Sequence, residues 1–165
     1  MTSTDQPQDV PGERPSWLDR LDVLVGRWDT EAVFEAAFMG PDSQDTRAPG
    51  STTFEWLAGH RFLLQRFTNE NSAFPSGISV IGAGPVTDTF TQRYYDSRGV
   101  ERVYQMTFDG REWTLWRESP GFWQRYTGLL AADGTAITGA WAASADGQEW
   151  RHEFALNHTR SAAYN

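Results

Sequence analysis

Between positions 28 and 38 apolar and polar residues alternate, with Trp28, Ala32, Phe34, Ala36 and Phe38 on one face and Asp29, Glu31 and Glu35 on the other. A period of two is the signature of a half-buried strand. After a loop expected over 40–50 ("GPDSQDTRAPG"), the rhythm returns in "STTFEW", where Phe54 and Trp56 alternate with Thr53 and Glu55. A tight turn at Ala58 and Gly59 leads to a partner strand that places Phe62, Leu64 and Arg66 on one face. Further strands are predicted at "GISVIGAG", "DTFTQRYYD", "VERVYQMTF", "REWTLWRE", "GFWQRYTGLL", "TAITGAWAAS" and "GQEWRHEFALNHTR". Their links, such as "DSRG", "DG", "SPG" and "ADG", carry glycine where hairpin turns need a positive φ.

About ten strands in sequence-adjacent order make a meander, and closing it on itself removes both exposed edges. The expected fold is therefore all-β, an up-and-down antiparallel barrel of about ten strands. The alternative, an α+β cone with two or three N-terminal helices, requires long helical periodicity ahead of the strands. One helical stretch stands there, "SWLDRLDVLVGRW". Ser16 is its expected N-cap with Asp19 three residues on, and Trp17, Leu18, Leu21, Leu24 and Val25 form an apolar face before Gly26 ends it. Residues 1–15 are polar and proline-bearing, the pattern of a disordered lead-in, and 16–165 read as one domain.

Composition narrows the chemistry. The chain of 165 residues has no cysteine, which excludes disulfides, thiolate catalysis and Cys-based metal centres. Its net charge of -8 argues against a nucleic-acid partner. All 14 basic residues are arginine, which eliminates lysine Schiff-base chemistry and the Walker phosphate loop. No apolar run is long enough for a membrane span and no leader pattern opens the chain, so the expected location is cytoplasmic, without a membrane partner. No Gly-x-Ser-x-Gly is present, Ser119 sits in a turn before Pro120, and "GAGPVTD" follows no dinucleotide-binding pattern.

The arginines carry more interest. In "TLWRESPGFWQRYTG", aromatic rings and guanidinium groups crowd around one Pro-Gly turn. Strand parity puts Trp113, Leu115 and Arg117 on one face of that hairpin, opposite either Phe122, Gln124 and Tyr126 or, after a one-residue slip, Trp123 and Arg125. Arg102 and Tyr104 share parity with Met106 and Phe108, the more apolar face, so both are expected inside. An inward Arg-x-Tyr pair resembles the carboxylate clamp of intracellular fatty-acid-binding barrels, since a guanidinium donates two parallel hydrogen bonds to an anion. Arg66, on the face of Phe62 and Leu64, is expected inside by the same rule. Eight tryptophans suit either a ligand cavity lined by aromatic rings, Trp28, Phe34, Phe54, Trp56 and Trp141 among them, or a barrel filled solid by cross-strand aromatic pairs. On the last predicted strand, His152 shares parity with Trp150, Phe154, Leu156 and His158. His60, His152 and His158 show no zinc-binding spacing, and His152 and His158 stand about 20 Å apart along a straight strand.

"LVGRWDTEA" brings a short helix into Gly26-x-Trp28 at the start of the first strand, and with the meander this resembles the calycin superfamily. With "TFEWLAGHRFLLQRF", "YYDSRGVERVYQMTF", "WTLWRESPGFWQRY" and "HEFALNHTR", the chain over about 17–160 is similar to the DUF1579-type, lipocalin-like bacterial proteins, distant relatives of the nitrobindin-like haem barrels. The resemblance implies that Gly26 and Trp28 close one end of the barrel. It implies a haem alternative as well, with His152 as axial ligand, acting on nitrogen-oxide species. Here Asp29, Thr30 and Glu31 stand where nitrobindin-like proteins continue with glycines.

The expected function is binding of a hydrophobic small molecule, aromatic or anionic, inside the barrel. The candidate ligand-contacting residues are Trp28, Phe34, Phe54, Trp56, Arg66, Arg102, Tyr104, Met106, Trp113, Arg117, Tyr126, Trp141, His152 and Phe154. Besides haem binding, a small cyclase or isomerase using the cavity and a solid-cored homodimer remain as alternatives.

Overall fold

The computed structural model describes residues 11–36 and 42–162. Ten antiparallel strands follow in chain order: β1 (Gly26–Phe34), β2 (Thr46–Trp56), β3 (Phe62–Asn69), β4 (Gly77–Ala83), β5 (Phe90–Asp96), β6 (Glu101–Phe108), β7 (Glu112–Arg117), β8 (Trp123–Leu130), β9 (Ala136–Ser144) and β10 (Arg151–Arg160). Each pairs with its neighbour in sequence, and β1 also pairs with β10, so the sheet is a closed barrel without edges. The expected ten-stranded barrel is the fold the chain adopts. The α+β alternative fails, because a single short helix precedes β1 among the described residues. No described helix is long and apolar enough to cross a membrane.

Aspartate-led turns join several of the strands. Between β6 and β7, Asp109 Oδ1 accepts from the backbone N–H of Arg111 (2.8 Å) and Glu112 (2.7 Å), while Gly110 takes φ +96°. Those N–H groups stabilise the ionised carboxyl, lowering the Asp109 pKa.

The helix is a 3-10 helix, Ser16–Leu24. Its buried residues, Leu18, Leu21 and Leu24, recur every three positions, the 3-10 period, which stacks them in one row toward the barrel. Ser16 is not the N-cap. Pro15 holds that position with extended backbone and no side-chain cap bond, and its carbonyl accepts from Leu18 N–H. Side chains lash the helix across one barrel end: Trp17 Nε1 donates to the Thr89 carbonyl (3.2 Å), Trp56 Nε1 to Asp22 Oδ1 (2.8 Å), and Arg20 pairs with Asp88 (2.9 Å). At the same end Arg160 stacks 4.0 Å over the Trp28 ring and donates to the carbonyls of Val23, Val25 and Gly134.

Under the helix the barrel is solid. Leu18, Leu21, Leu24, Trp28, Phe54, Leu63, Ile81, Phe90, Met106 and Phe108 belong to one buried cluster. Phe38, expected on the first strand, lies outside the described residues, and two other sequence expectations change here. The loop expected over 40–50 is partly strand, because β2 begins at Thr46 and runs through Pro49 and Gly50. Pro49 contributes its carbonyl to Glu70 N–H, and a Cβ on Gly50 would lie 2.3 Å from the Thr68 carbonyl oxygen, so these apparent loop residues suit a tight strand contact. Finally, Phe54 faces Gln65 across the β2–β3 ladder, and directly opposed residues share a face. Leu63, Gln65 and Phe67 therefore point inward, while Phe62 and Arg66 point out, Arg66 3.6 Å from the Glu55 carboxylate. The apolar run in "FLLQRF" fits either parity, and only the pairing with β2 selects one.

Candidate ligand-binding cavity

Opposite the helix, at the end carrying the β1–β2, β3–β4, β5–β6, β7–β8 and β9–β10 connections, the barrel is hollow. The cavity measures about 430 Å³, within the range of small-molecule sites. Its two walls differ. The β7–β10 side presents Trp113, Tyr126, Trp141 and Phe154; the Tyr126 ring lies 5.4 Å from both Trp113 and Trp141, and Trp141 lies 6.5 Å from Phe154. The β2–β5 side presents Thr52, Gln65, Ser79 and Gln92. At the mouth Phe34 stacks on Phe74 (5.0 Å) and packs against Phe154 (4.8 Å).

Tyr126 owes its place to two glycines. Gly128 and Gly139 face each other across β8 and β9, and a Cβ on Gly139 would lie 2.3 Å from Tyr126 Oη. The pair forms a niche in the wall that the phenol ring fills. Burial raises the Tyr126 pKa, so its hydroxyl remains protonated.

The Pro-Gly hairpin supplies the charged part of the mouth. Register sets Arg117 opposite Gln124, selecting the Phe122, Gln124, Tyr126 face for the interior and leaving Arg125 outside over Trp150 (4.2 Å). Arg102 and Arg117 flank the Phe122 ring at 5.6 and 5.7 Å. Gln124 Oε1 then accepts three hydrogen bonds, from Arg102 Nη1 (3.0 Å), Tyr104 Oη (3.1 Å) and Arg117 Nη2 (3.3 Å). Three donors, two of them cationic, converge on one neutral oxygen with two lone pairs. Neither guanidinium forms an ion pair with a described carboxylate. Burial is the largest influence on Tyr104 and raises its pKa, keeping it a donor. Arg98 also lines the mouth, but its charge is offset by Asp96 at 2.6 Å. Arg98 and the Tyr94 hydroxyl hold the Asp96 carboxyl well below the usual carboxylate range.

On β10 a bulge decides which side chains enter. Pairing with β9 shifts by one residue between His152 and Phe154, so Glu153 is the extra residue and both Glu153 and Phe154 reach the cavity. His152 pairs with Ala142 on the outer parity, does not line the cavity, and has Nε2 4.0 Å from the Glu35 carboxylate. The histidine that does line it is His158, which is 2% exposed and packs edge-on to Trp28 at 6.4 Å and against Trp113 at 6.1 Å. Burial alone lowers its pKa to about 4, so it is neutral at neutral pH.

Of the residues expected to contact a ligand, Phe34, Arg102, Tyr104, Trp113, Tyr126, Trp141 and Phe154 line the cavity, and Arg117 stands behind Phe122. Trp28, Phe54 and Met106 lie in the solid half, Trp56 lies beneath the helix stacked on His60, and Arg66 and His152 face away. Pattern reading passed over Ser79, Gln92, Tyr94, Arg98 and Glu153. A polar inward row erases the alternation that marks a strand's buried face, and a bulge leaves no trace in composition.

Residues 11–118, more than half of the chain, match the family model described as protein of unknown function, DUF1579. The chain belongs to the DUF1579 family. This DUF1579 barrel is similar to the crystal structure of Rv2717c from M. tuberculosis, with a TM-score of 0.64 and 13% identity over 91% of this chain and 100% of that one. At that identity the likeness is one of fold, consistent with the calycin resemblance. No curated protein matches the sequence. The haem expectation named His152 as axial ligand. In this DUF1579 barrel the residue does not fit that role, because the bulge turns it away from the cavity.

Proposed function

We propose that the barrel binds a small aromatic acid. The ring system lies against Trp113, Tyr126, Trp141 and Phe154, and the carboxylate takes up the donors of Arg102 and Tyr104, with the charge of Arg117 behind Phe122. The observation that carries this reading is the excess of donors on Gln124 Oε1: two guanidinium groups and a phenol share one amide oxygen beside an open cavity. A carboxylate there supplies the missing lone pairs and offsets the cationic charge. Glu153, which also lines the cavity, contributes one negative charge against the two arginines, leaving one positive charge for the ligand to balance.

Calorimetric titration of wild type and Arg102→Met with 2-naphthoate and its methyl ester tests the reading. A charge-assisted hydrogen-bond pair contributes about 1.5–3 kcal/mol, so the acid should lose about ten- to a hundredfold in affinity and the ester little. Equal losses for both compounds would refute capture of the carboxylate.

A further inference from the structure

The floor of the cavity differs chemically from its mouth. Among the described residues, Trp113 Nε1, His158 Nδ1, Gln92 Oε1 and Ser79 Oγ are each buried without a hydrogen-bond partner. Their side chains are almost completely enclosed, Gln92 being the most exposed at 4%, yet all four line the one cavity. They come from four different strands, β7, β10, β5 and β4. A buried polar group left unpaired is destabilising, so four that converge on a single hollow form a matched set rather than scattered packing faults.

The donor and acceptor character of the set is specific. An indole N–H only donates, an amide oxygen only accepts, and a hydroxyl or a neutral imidazole does either. None of the four bears a charge, so the floor suits a neutral group that both donates and accepts. Arg117 and Trp113 are four residues apart on β7, which places the floor roughly 13 Å along the wall from the arginines. We infer that the ligand is two-ended, a hydroxylated aromatic acid whose phenolic hydroxyl, beside Ser79, accepts from Trp113 and His158 and donates to Gln92 while its carboxylate lies at the mouth. This rests on the proposed anion site for the carboxylate, and the two ends are separable by experiment.

Naphthalene, 2-naphthol, 2-naphthoate and 6-hydroxy-2-naphthoate carry neither group, one or the other, and both on the same ring system. Calorimetric titration of the full chain at pH 7.5 should show 6-hydroxy-2-naphthoate binding about tenfold more tightly than 2-naphthoate, the worth of roughly one satisfied hydrogen bond. His158→Phe and, independently, Gln92→Leu should each abolish that advantage, with circular dichroism reporting that the barrel is intact, whereas Arg102→Met should weaken both acids alike. Equal wild-type affinities of the two acids would overturn the inference, since water would then satisfy the floor equally well. So would a hydroxyl advantage that survives both floor variants. If 2-naphthol binds more tightly than naphthalene while neither acid binds, the floor stands and the arginine reading fails. If both acids bind alike and better than the neutral compounds, the arginines stand and the floor fails. Absence of binding by all four overturns both.

Discussion

Lowering the pH from 7.5 to 5 should destabilise the barrel through His158 alone by an amount that follows from its burial. In the unfolded chain a histidine titrates near 6.5, whereas folding encloses His158 beside Trp28 and Trp113 and lowers its pKa to about 4. Above 6.5 both states carry a neutral ring and the group contributes nothing to the pH dependence. Between 6.5 and 4 the unfolded chain binds the additional proton, so stability falls as the pH falls, and below 4 the loss levels off because the folded protein binds it too. Each pH unit in that window is worth about 1.4 kcal/mol, which gives about 2 kcal/mol by pH 5 and about 3 kcal/mol in all. Urea denaturation of wild type and His158→Phe at pH 7.5, 6 and 5 isolates this share, because the other titrating groups are common to both proteins. The wild type should lose about 2 kcal/mol more than the variant between pH 7.5 and 5. Identical pH dependence in the two proteins would refute the reasoning that His158 is held neutral by enclosure.

Two further outcomes follow from the site, alongside the ligand titrations above. Gly139→Ala places a Cβ 2.3 Å from Tyr126 Oη, so the phenol must leave its niche or the wall must shift; a lowered urea midpoint worth about 1–3 kcal/mol is expected, and an unchanged midpoint would show that the niche is not tight. Hemin added to wild type and to His152→Ala should give superimposable absorption spectra, because His152 faces Glu35 and not the cavity. A saturable Soret band present in wild type and lost in the variant would contradict the bulge.

The alternation of apolar and polar residues determined the strands, and glycine-bearing turns determined that neighbours in sequence pair. Those two local facts suffice for a meander, and the cost of open edges makes closure follow. The inward placement of Arg102, Tyr104 and Trp113 was equally legible, since β6 and β7 keep a strict period without interruption. Three features depended on tertiary structure. Arg66 faces out because Phe54 opposite Gln65 dictates the parity of β3, and "FLLQRF" is apolar on both faces. His152 faces out because one inserted residue on β10 reverses parity, an event set by pairing with β9 and invisible along the chain. The hollow itself arises because three leucines of a 3-10 helix fill one end of the barrel and, among the described residues, nothing equivalent fills the other. Periodicity reports which face of a strand is buried; whether that face meets another side chain or empty space depends on residues far apart in sequence.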